Sequence, residues 1–205
     1  MNEKEAWKIA LRVWDNESGA LARLRETVDP KAFWECVKII AACKGRIAAS
    51  GVGTSAAAAR KIAHSLSCVE RPAFFLSPGD AVHGGLGSVK KGDVAVLISK
   101  GGNTREILNI IPALQAKKVV IVAVTENGDS ALARASDLLV KVHVDREADD
   151  FNMLATTSTM AVVAVFDAAC VALMKVTGYT KEQFAIIHPG GAVGERLLGR
   201  SKKQT

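Results

Sequence analysis

Aromatic side chains make up only 5% of this 205-residue chain. They are not interleaved with basic residues in the way that stacks bases, so nucleic acid is not an expected partner. The four cysteines, Cys36, Cys43, Cys68 and Cys170, form no CxxC pair and sit among apolar or helix-forming neighbours. That is the setting of buried, reduced thiols. Long apolar runs are also missing. The longest, from Met160 to Met174, is interrupted by Asp167 and falls short of the roughly 20 residues that span a bilayer, so no membrane is expected. The first residues, Met1-Asn2-Glu3-Lys4-Glu5, are charged at once and carry no secretory signal, and the expected location is cytoplasmic.

A nucleotide fingerprint is weak at best. After Gly51-Val52-Gly53 the third glycine of GxGxxG would fall on Ala56, and the acidic residue about 20 positions on, Glu70, stands before Arg71-Pro72 rather than at a strand end. There is no Walker A lysine.

What is present is the balance of an ordinary globular protein, 49% hydrophobic and 23% charged, long enough for one domain with a substantial core. Three of the six net positive charges lie in the last six residues, as Arg200, Lys202 and Lys203. Residues 200–205 read as a basic tail. The excess left on the body suits an anionic small molecule but is too weak to argue for nucleic acid.

Residues 3 to 27 read as an amphipathic helix with Trp7, Ala10, Leu11, Trp14, Leu21 and Leu24 on helical spacing. A second helix is punctuated by Asp29 as cap, Pro30 in the first turn and Gly45 as terminator, with Phe33, Val37 and Ile40 as its inner stripe. Residues 1–45 are therefore expected to be a helical hairpin that packs on the domain or on a partner subunit.

From Arg46 the pattern alternates. Strands are predicted at 46–50, 72–76, 93–98, 118–125 and 137–142, and helices at 55–67, 104–116, 129–136 and 157–176. The runs Val94 to Ile98 and Val119 to Val124 are continuously apolar and rich in β-branched residues, as strands covered on both faces are. The expected fold is α/β, a doubly wound parallel sheet of five strands, in which ligands bind beyond the carboxyl ends of the strands.

Three loops of Gly, Ser and Thr run into helices: Ser50-Gly51-Val52-Gly53-Thr54-Ser55, Ser99-Lys100-Gly101-Gly102-Asn103-Thr104 and Thr156-Thr157-Ser158-Thr159. Each offers unpaired amides, hydroxyls and a helix dipole, so a phosphorylated small molecule is the leading ligand. Lys100 adds a cation within the second loop. Elsewhere, His83 lies in the glycine-rich segment Pro78 to Gly87, Asp145 to Asp150 carries four carboxylates, and His188 opens His188-Pro189-Gly190-Gly191. Loops of this kind on a rigid scaffold are where catalytic groups concentrate. His64 and His143, in a helix and a strand, are less promising. No helical spacing links His83, His188 and Glu147, so no metal is indicated.

From about Arg46 to Leu198 the chain resembles the sugar isomerase (SIS) domain family, and within it the arabinose-5-phosphate isomerase type. The resemblance rests on Gly51-Val52-Gly53, the Ser99 to Thr104 loop, Ala81-Val82-His83-Gly84, Arg146-Glu147-Ala148, Asn152 with Thr156 to Thr159, and His188 to Gly194. It implies a flavodoxin/Rossmann-like sheet over 46–199 and cofactor-free interconversion of a phosphorylated aldose and ketose through an enediol. Carried over by motif, Glu147, His83 and His188 fall on the acid, base and ring-opening groups. Ser50, Gly51, Gly53, Thr54, Ser55, Ser99, Lys100, Gly101, Gly102, Asn103, Thr104, Asn152, Thr157 and Ser158 fall on the substrate and phosphate pocket. The family's HPGG histidine can enter a neighbouring subunit's site, which implies a homodimer or homotetramer. Many relatives of this type carry a C-terminal pair of CBS modules, and a chain stopping at Thr205 reads as the isomerase domain alone.

Departures accompany the likeness. Thr54 stands where the family's first loop has lysine, Gly101 and Asn103 where its phosphate loop has serine and glutamate, and Asp149-Asp150 where it has Cys-Pro. Lys100 is the expected replacement for the lost cation, and Asp149 or Asp150 for the lost carboxylate. The alternative is a phosphosugar-binding sensor or regulatory module in which isomerisation has been lost.

Overall fold

The structure, a computed structural model, describes residues 1–190. The basic tail and the end of the His188 to Gly194 stretch, from Gly191 on, lie outside the described residues.

Two helices come first. In α1 (Glu3–Thr27), Asn2 and Glu5 form a reciprocal capping box. In α2 (Pro30–Ala42), Asp29 accepts from the Lys31 amide at 2.8 Å and Pro30 occupies the first turn. The helix ends at Cys43 rather than Gly45. Glycine is needed at 45 for another reason, since a Cβ there would stand 2.0 Å from Asp93 Oδ1.

The sheet then forms from β1 (Ile47–Ser50), β2 (Ala73–Phe75), β3 (Val94–Ile98), β4 (Val120–Thr125) and β5 (Leu138–Lys141), all parallel in the order β2-β1-β3-β4-β5. Its strands alternate between two cores. Ile47, Ala49, Val94, Val96, Ile98, Val122 and Val124 face α1, α2, α3 (Thr54–Ser67) and α7 (Thr157–Val176). Ala48, Ala95, Leu97, Ile121 and Ala123 face α4 (Pro78–Ala81), α5 (Arg105–Ala116) and α6 (Ala131–Arg134). The order reverses between β1 and β3, the switch point at which such sheets bind ligands.

The differences from the sequence reading have local causes. The predicted helix 129–136 shrinks to the four residues of α6, and the strand predicted from 118 begins at 120, because Lys118 takes φ +57° to close the end of α5. The glycine-rich segment 78–87 is not a plain loop but α4 followed by a 3-10 turn, Gly85–Ser88. Along α1 only the second half joins the core, through Ala20, Leu21 and Leu24, while Trp7, Leu11 and Trp14 are 57%, 43% and 52% exposed. At 20 residues α7 is, by length and composition, long and apolar enough to cross a membrane, contrary to the sequence reading. In this fold it packs against α1, α2 and α3.

Candidate active site

The loop after β5 turns back across the carboxyl end of the sheet and delivers Glu147, 1% exposed, to the N-terminus of α7. Its Oε2 accepts from the amides of Thr156 and Ser158 at 3.0 and 3.1 Å. Its Oε1 accepts from Lys100 Nζ at 2.7 Å and from the Ser158 hydroxyl. Asn152 holds the backbone of this turn: with φ +57°, its Oδ1 accepts from the Glu147 amide at 2.6 Å. The Thr156 hydroxyl accepts from the Ala148 amide at 3.1 Å. Burial would raise the Glu147 carboxyl, but Lys100 and the Ser158 hydroxyl and amide outweigh it and hold it below the ordinary carboxylate range.

Of the three donor loops, the one opening α7 thus holds the chain's own carboxylate. Ser158 donates to Glu147, and Thr157, fully buried, accepts from Asn16 Nδ2 at 2.7 Å. The loop opening α3 is differently placed. Its cap, Gly53, has φ +59° and no side-chain cap bond, and Thr54 and Ser55 line a cavity of about 90 Å³. Gly51 is fixed by close approach, since a Cβ would lie 2.6 Å from the Ser55 backbone. Ser50 is fully buried and donates to the Leu76 carbonyl at 2.7 Å, a structural role.

The second loop is braced from inside. Ser99 Oγ meets Thr104 Oγ1 at 2.8 Å and accepts from the Gly102 amide at 3.1 Å. Asn103 is turned away, bridging Gly101 O and the Ala131 amide at the start of α6. The Lys100 carbonyl accepts from Thr125 Oγ1 and the Glu126 amide at 2.7 and 3.0 Å, so its ammonium projects from a fixed backbone. The cavity lies between these walls, lined by Thr54, Ser55, Lys100, Thr125, Glu126 and Ser158, with an apolar floor of Ile98, Val124 and Val142.

Sequence reasoning misses Thr125 and Glu126, although the signal is available: they stand at the carboxyl end of β4, Thr125 as its last residue and Glu126 directly after it, as the first two loops stand at the ends of β1 and β3. The two expected replacement carboxylates are engaged away from the cavity. Asp149 accepts from the amides of Phe151, Met153 and Leu154, and Asp150 pairs with Arg12 at 2.6 Å.

The two histidines do not join Glu147. His83 is exposed after α4 and does not line the cavity. His188 ends α8 (Lys181–Ile187), stacked on Phe184 at 3.9 Å with Nδ1 3.0 Å from the Phe184 carbonyl. The Tyr179 hydroxyl ties that region to Cys68 at the C-terminal end of α3, and Gln183 bonds Glu70. The 20 residues of α7, about 30 Å, lie between that end and Glu147. Among the described residues no group of three His, Cys, Asp or Glu is placed to hold a metal ion.

A consequence follows for acid stability. Because the Glu147 carboxyl lies lower folded than unfolded, its contribution is full above the unfolded value near 4.3 and is lost as pH falls through the folded value. Acid-unfolding curves of Glu147→Gln should accordingly fall less steeply below about pH 5 than those of the unaltered protein. Parallel curves would show that the donor cluster stabilises no charge.

Fold and cleft together define a doubly wound α/β domain with a buried carboxylate set among donor-rich loops at the sheet's switch point. The chain belongs to the SIS domain family, whose description matches residues 39–172. It is 36% identical over 197 residues to the arabinose 5-phosphate isomerase KdsD of Yersinia pestis, covering 96% of this chain and 59% of the relative. It is 39% identical over 184 residues to KdsD of Escherichia coli K12, covering 90% and 56%. The chain thus spans a little over half the length of these curated relatives. Among solved structures, a Listeria monocytogenes protein proposed to be a sugar-phosphate isomerase is 50% identical, with TM-score 0.91 over 93% of this chain and all of that one. An E. coli CFT073 protein in complex with arabinose 5-phosphate is 33% identical, with TM-score 0.87 over 92% and 100%.

Proposed function

We propose that this chain is a phosphosugar isomerase of the arabinose 5-phosphate type, interconverting an aldose and a ketose through an enediol without a cofactor. The observation that carries this reading is Glu147, a buried carboxylate held by Lys100 and Ser158, two residues that line the cavity and bring an ammonium and a hydroxyl to its wall. Relatives at 36–39% identity are named for this reaction, and a structural relative binds arabinose 5-phosphate. In the reaction, the C2–H proton of the open-chain aldose passes to Glu147, the electron pair forms the C1=C2 bond, and the former carbonyl oxygen takes up a proton to give the enediol. Return of a proton to C1 with loss of the O2 hydroxyl proton gives the ketose. The phosphate is anchored at a distance by the loops 50–55 and 99–104, binding energy that serves the reacting end.

The site is completed by a second copy in a homodimer or homotetramer. His188 lies far from its own chain's Glu147, so any part it takes as ring opener or acid is in a neighbour's cleft. Exposed apolar residues support association, with Trp7, Leu11 and Trp14 on α1 and Phe151, Met153 and Leu154, 63–83% exposed, beside the Glu147 turn. His83 is proposed only as a group at the rim. The free cysteines support a reducing, cytoplasmic setting, burial pushing Cys36 up to about 12.

Asn103, tied to α6, and the neutral Thr54 favour the second reading, a sensor that binds without turnover. Incubation with pentose and hexose phosphates, followed by NMR, decides. Interconversion of at least one aldose–ketose pair is expected. Saturable binding with no interconversion across the panel would establish the sensor.

A further inference from the structure

A carboxylate has about four acceptor directions, and those of Glu147 are taken. Lys100 Nζ and the Ser158 hydroxyl hold Oε1, and the Thr156 and Ser158 amides hold Oε2. A base so saturated cannot receive a proton until one donor leaves. The amides belong to the first turn of α7 and cannot move without unwinding it. The Ser158 hydroxyl can rotate but carries no charge, so an entering anion draws it far less than an ammonium. Lys100 is different: its ammonium rides on four flexible carbons, its side chain is 39% exposed, and among the described residues it is the only basic one lining the cavity. It faces the space between Thr54, Ser55 and Glu126 where an anionic ligand would enter.

We infer that Lys100 is a substrate-operated latch on Glu147. An entering sugar phosphate draws the ammonium onto its own oxygens, which frees one acceptor direction on Oε1 for the C2 proton. The C2–H bond then breaks, the proton goes to Oε1, and the electron pair becomes the C1=C2 bond. The charge on the former carbonyl oxygen develops beside the Lys100 ammonium, which stays protonated throughout. Lys100 is thus a positioning residue for Glu147 in the closed state and an electrostatic partner of substrate in the open one. This rests on the isomerase reading.

The other charges near Glu147 are already committed or more remote. On its own segment, Arg146 donates to the backbone of Glu147 and Asp149, Asp145 pairs with Arg23, and Asp150 pairs with Arg12. Across the cleft, Glu126 lies 3.7 Å from His143. The first turns of α7, from Thr157 to Phe166, carry no ionisable side chain, and α3 presents only Thr54 and Ser55 at its start.

The test is a pair of pH profiles and one titration. kcat/KM reports the free protein and kcat the complex. In the unaltered protein the acid limb of kcat should lie about one pH unit or more above that of kcat/KM, the scale on which a contacting opposite charge moves a carboxyl. In Lys100→Met the two limbs should coincide, at the higher pH. Limbs still separated in Lys100→Met, or superimposed in the unaltered protein, would overturn the latch. Independently of turnover, the 13C signal of the Glu147 carboxyl, assigned with Glu147→Gln, is titrated with and without a pentitol 5-phosphate, which has no carbonyl and cannot isomerise. Saturation should move the titration upward in the unaltered protein and leave it in place in Lys100→Met and Lys100→Gln. A shift without turnover of any sugar phosphate sinks the isomerase reading and with it the proton transfer, and keeps only the ligand-driven release of Glu147 by Lys100. Turnover without a shift, or no binding of the pentitol phosphate, sinks the latch.

Discussion

Glu147→Gln is expected to lower the interconversion rate by about 10²- to 10⁴-fold, the range that a positioned general base contributes. The change removes the proton acceptor while keeping the side chain's length. It also puts an amide NH₂ where one carboxylate oxygen stood, facing Lys100 and the Ser158 hydroxyl or the Thr156 and Ser158 amides. Donor then meets donor, so a modest loss of stability accompanies the kinetic loss, and the substrate affinity set by the loops 50–55 and 99–104 should survive. Steady-state rates and calorimetric binding on the same preparation separate the two effects. A variant within tenfold of the original rate would show that Glu147 is a structural cap on α7 and that another group carries the proton.

The second large effect is on stability. Gly102→Ala should lower it by about 2–5 kcal/mol, combining roughly 1–2 for a left-handed residue with about 1–3 for an overpacked site. Gly102 has φ +70°, and an added Cβ would stand 2.1 Å from Ser130 Oγ, 2.4 Å from Ser130 Cβ and 2.9 Å from Thr125 Oγ1. Neither side can yield cheaply. The Gly102 carbonyl accepts from the Leu132 amide at 3.0 Å, and the Ser130 hydroxyl caps α6. For a domain of this size the cost corresponds to a fall of about 5–15 °C in Tm, read by calorimetry. A fall below about 2 °C would mean that the two loops are not locked together as described.

The sheet was legible because strands covered on both faces must be apolar at every position, and 94–98 and 120–124 are. Helix starts were legible wherever a polar cap stood before an apolar stripe, as at Asp29. What failed was local: the helix read over 129–136 rested on a short stretch of helix formers that the turns at Asn127 and Ser130 cut down to one turn. In the site, the position of each loop was readable and its occupant was not. The Thr156 to Thr159 loop looks identical in sequence whether it awaits a phosphate or holds Glu147. Lys100 was read as a free cation because nothing local reveals a partner 47 residues further on. His188 was singled out by its motif, but its distance from Glu147 is set by the direction of α7 and the docking of α8. No spacing in the sequence expresses that.

Transfer of a proton between C1 and C2 of a sugar phosphate by Glu147 leaves a label that solvent can supply. The most direct measurement is to run the reaction in deuterated water from the ketose side and locate the label in the aldose by NMR. One solvent deuteron is expected at C2, incorporated about 10²- to 10⁴-fold more slowly when Glu147→Gln replaces the unaltered protein. Aldose formed without deuterium at C2 would mean a shielded or hydride-shift path, and no aldose from any ketose phosphate that binds would contradict the account outright.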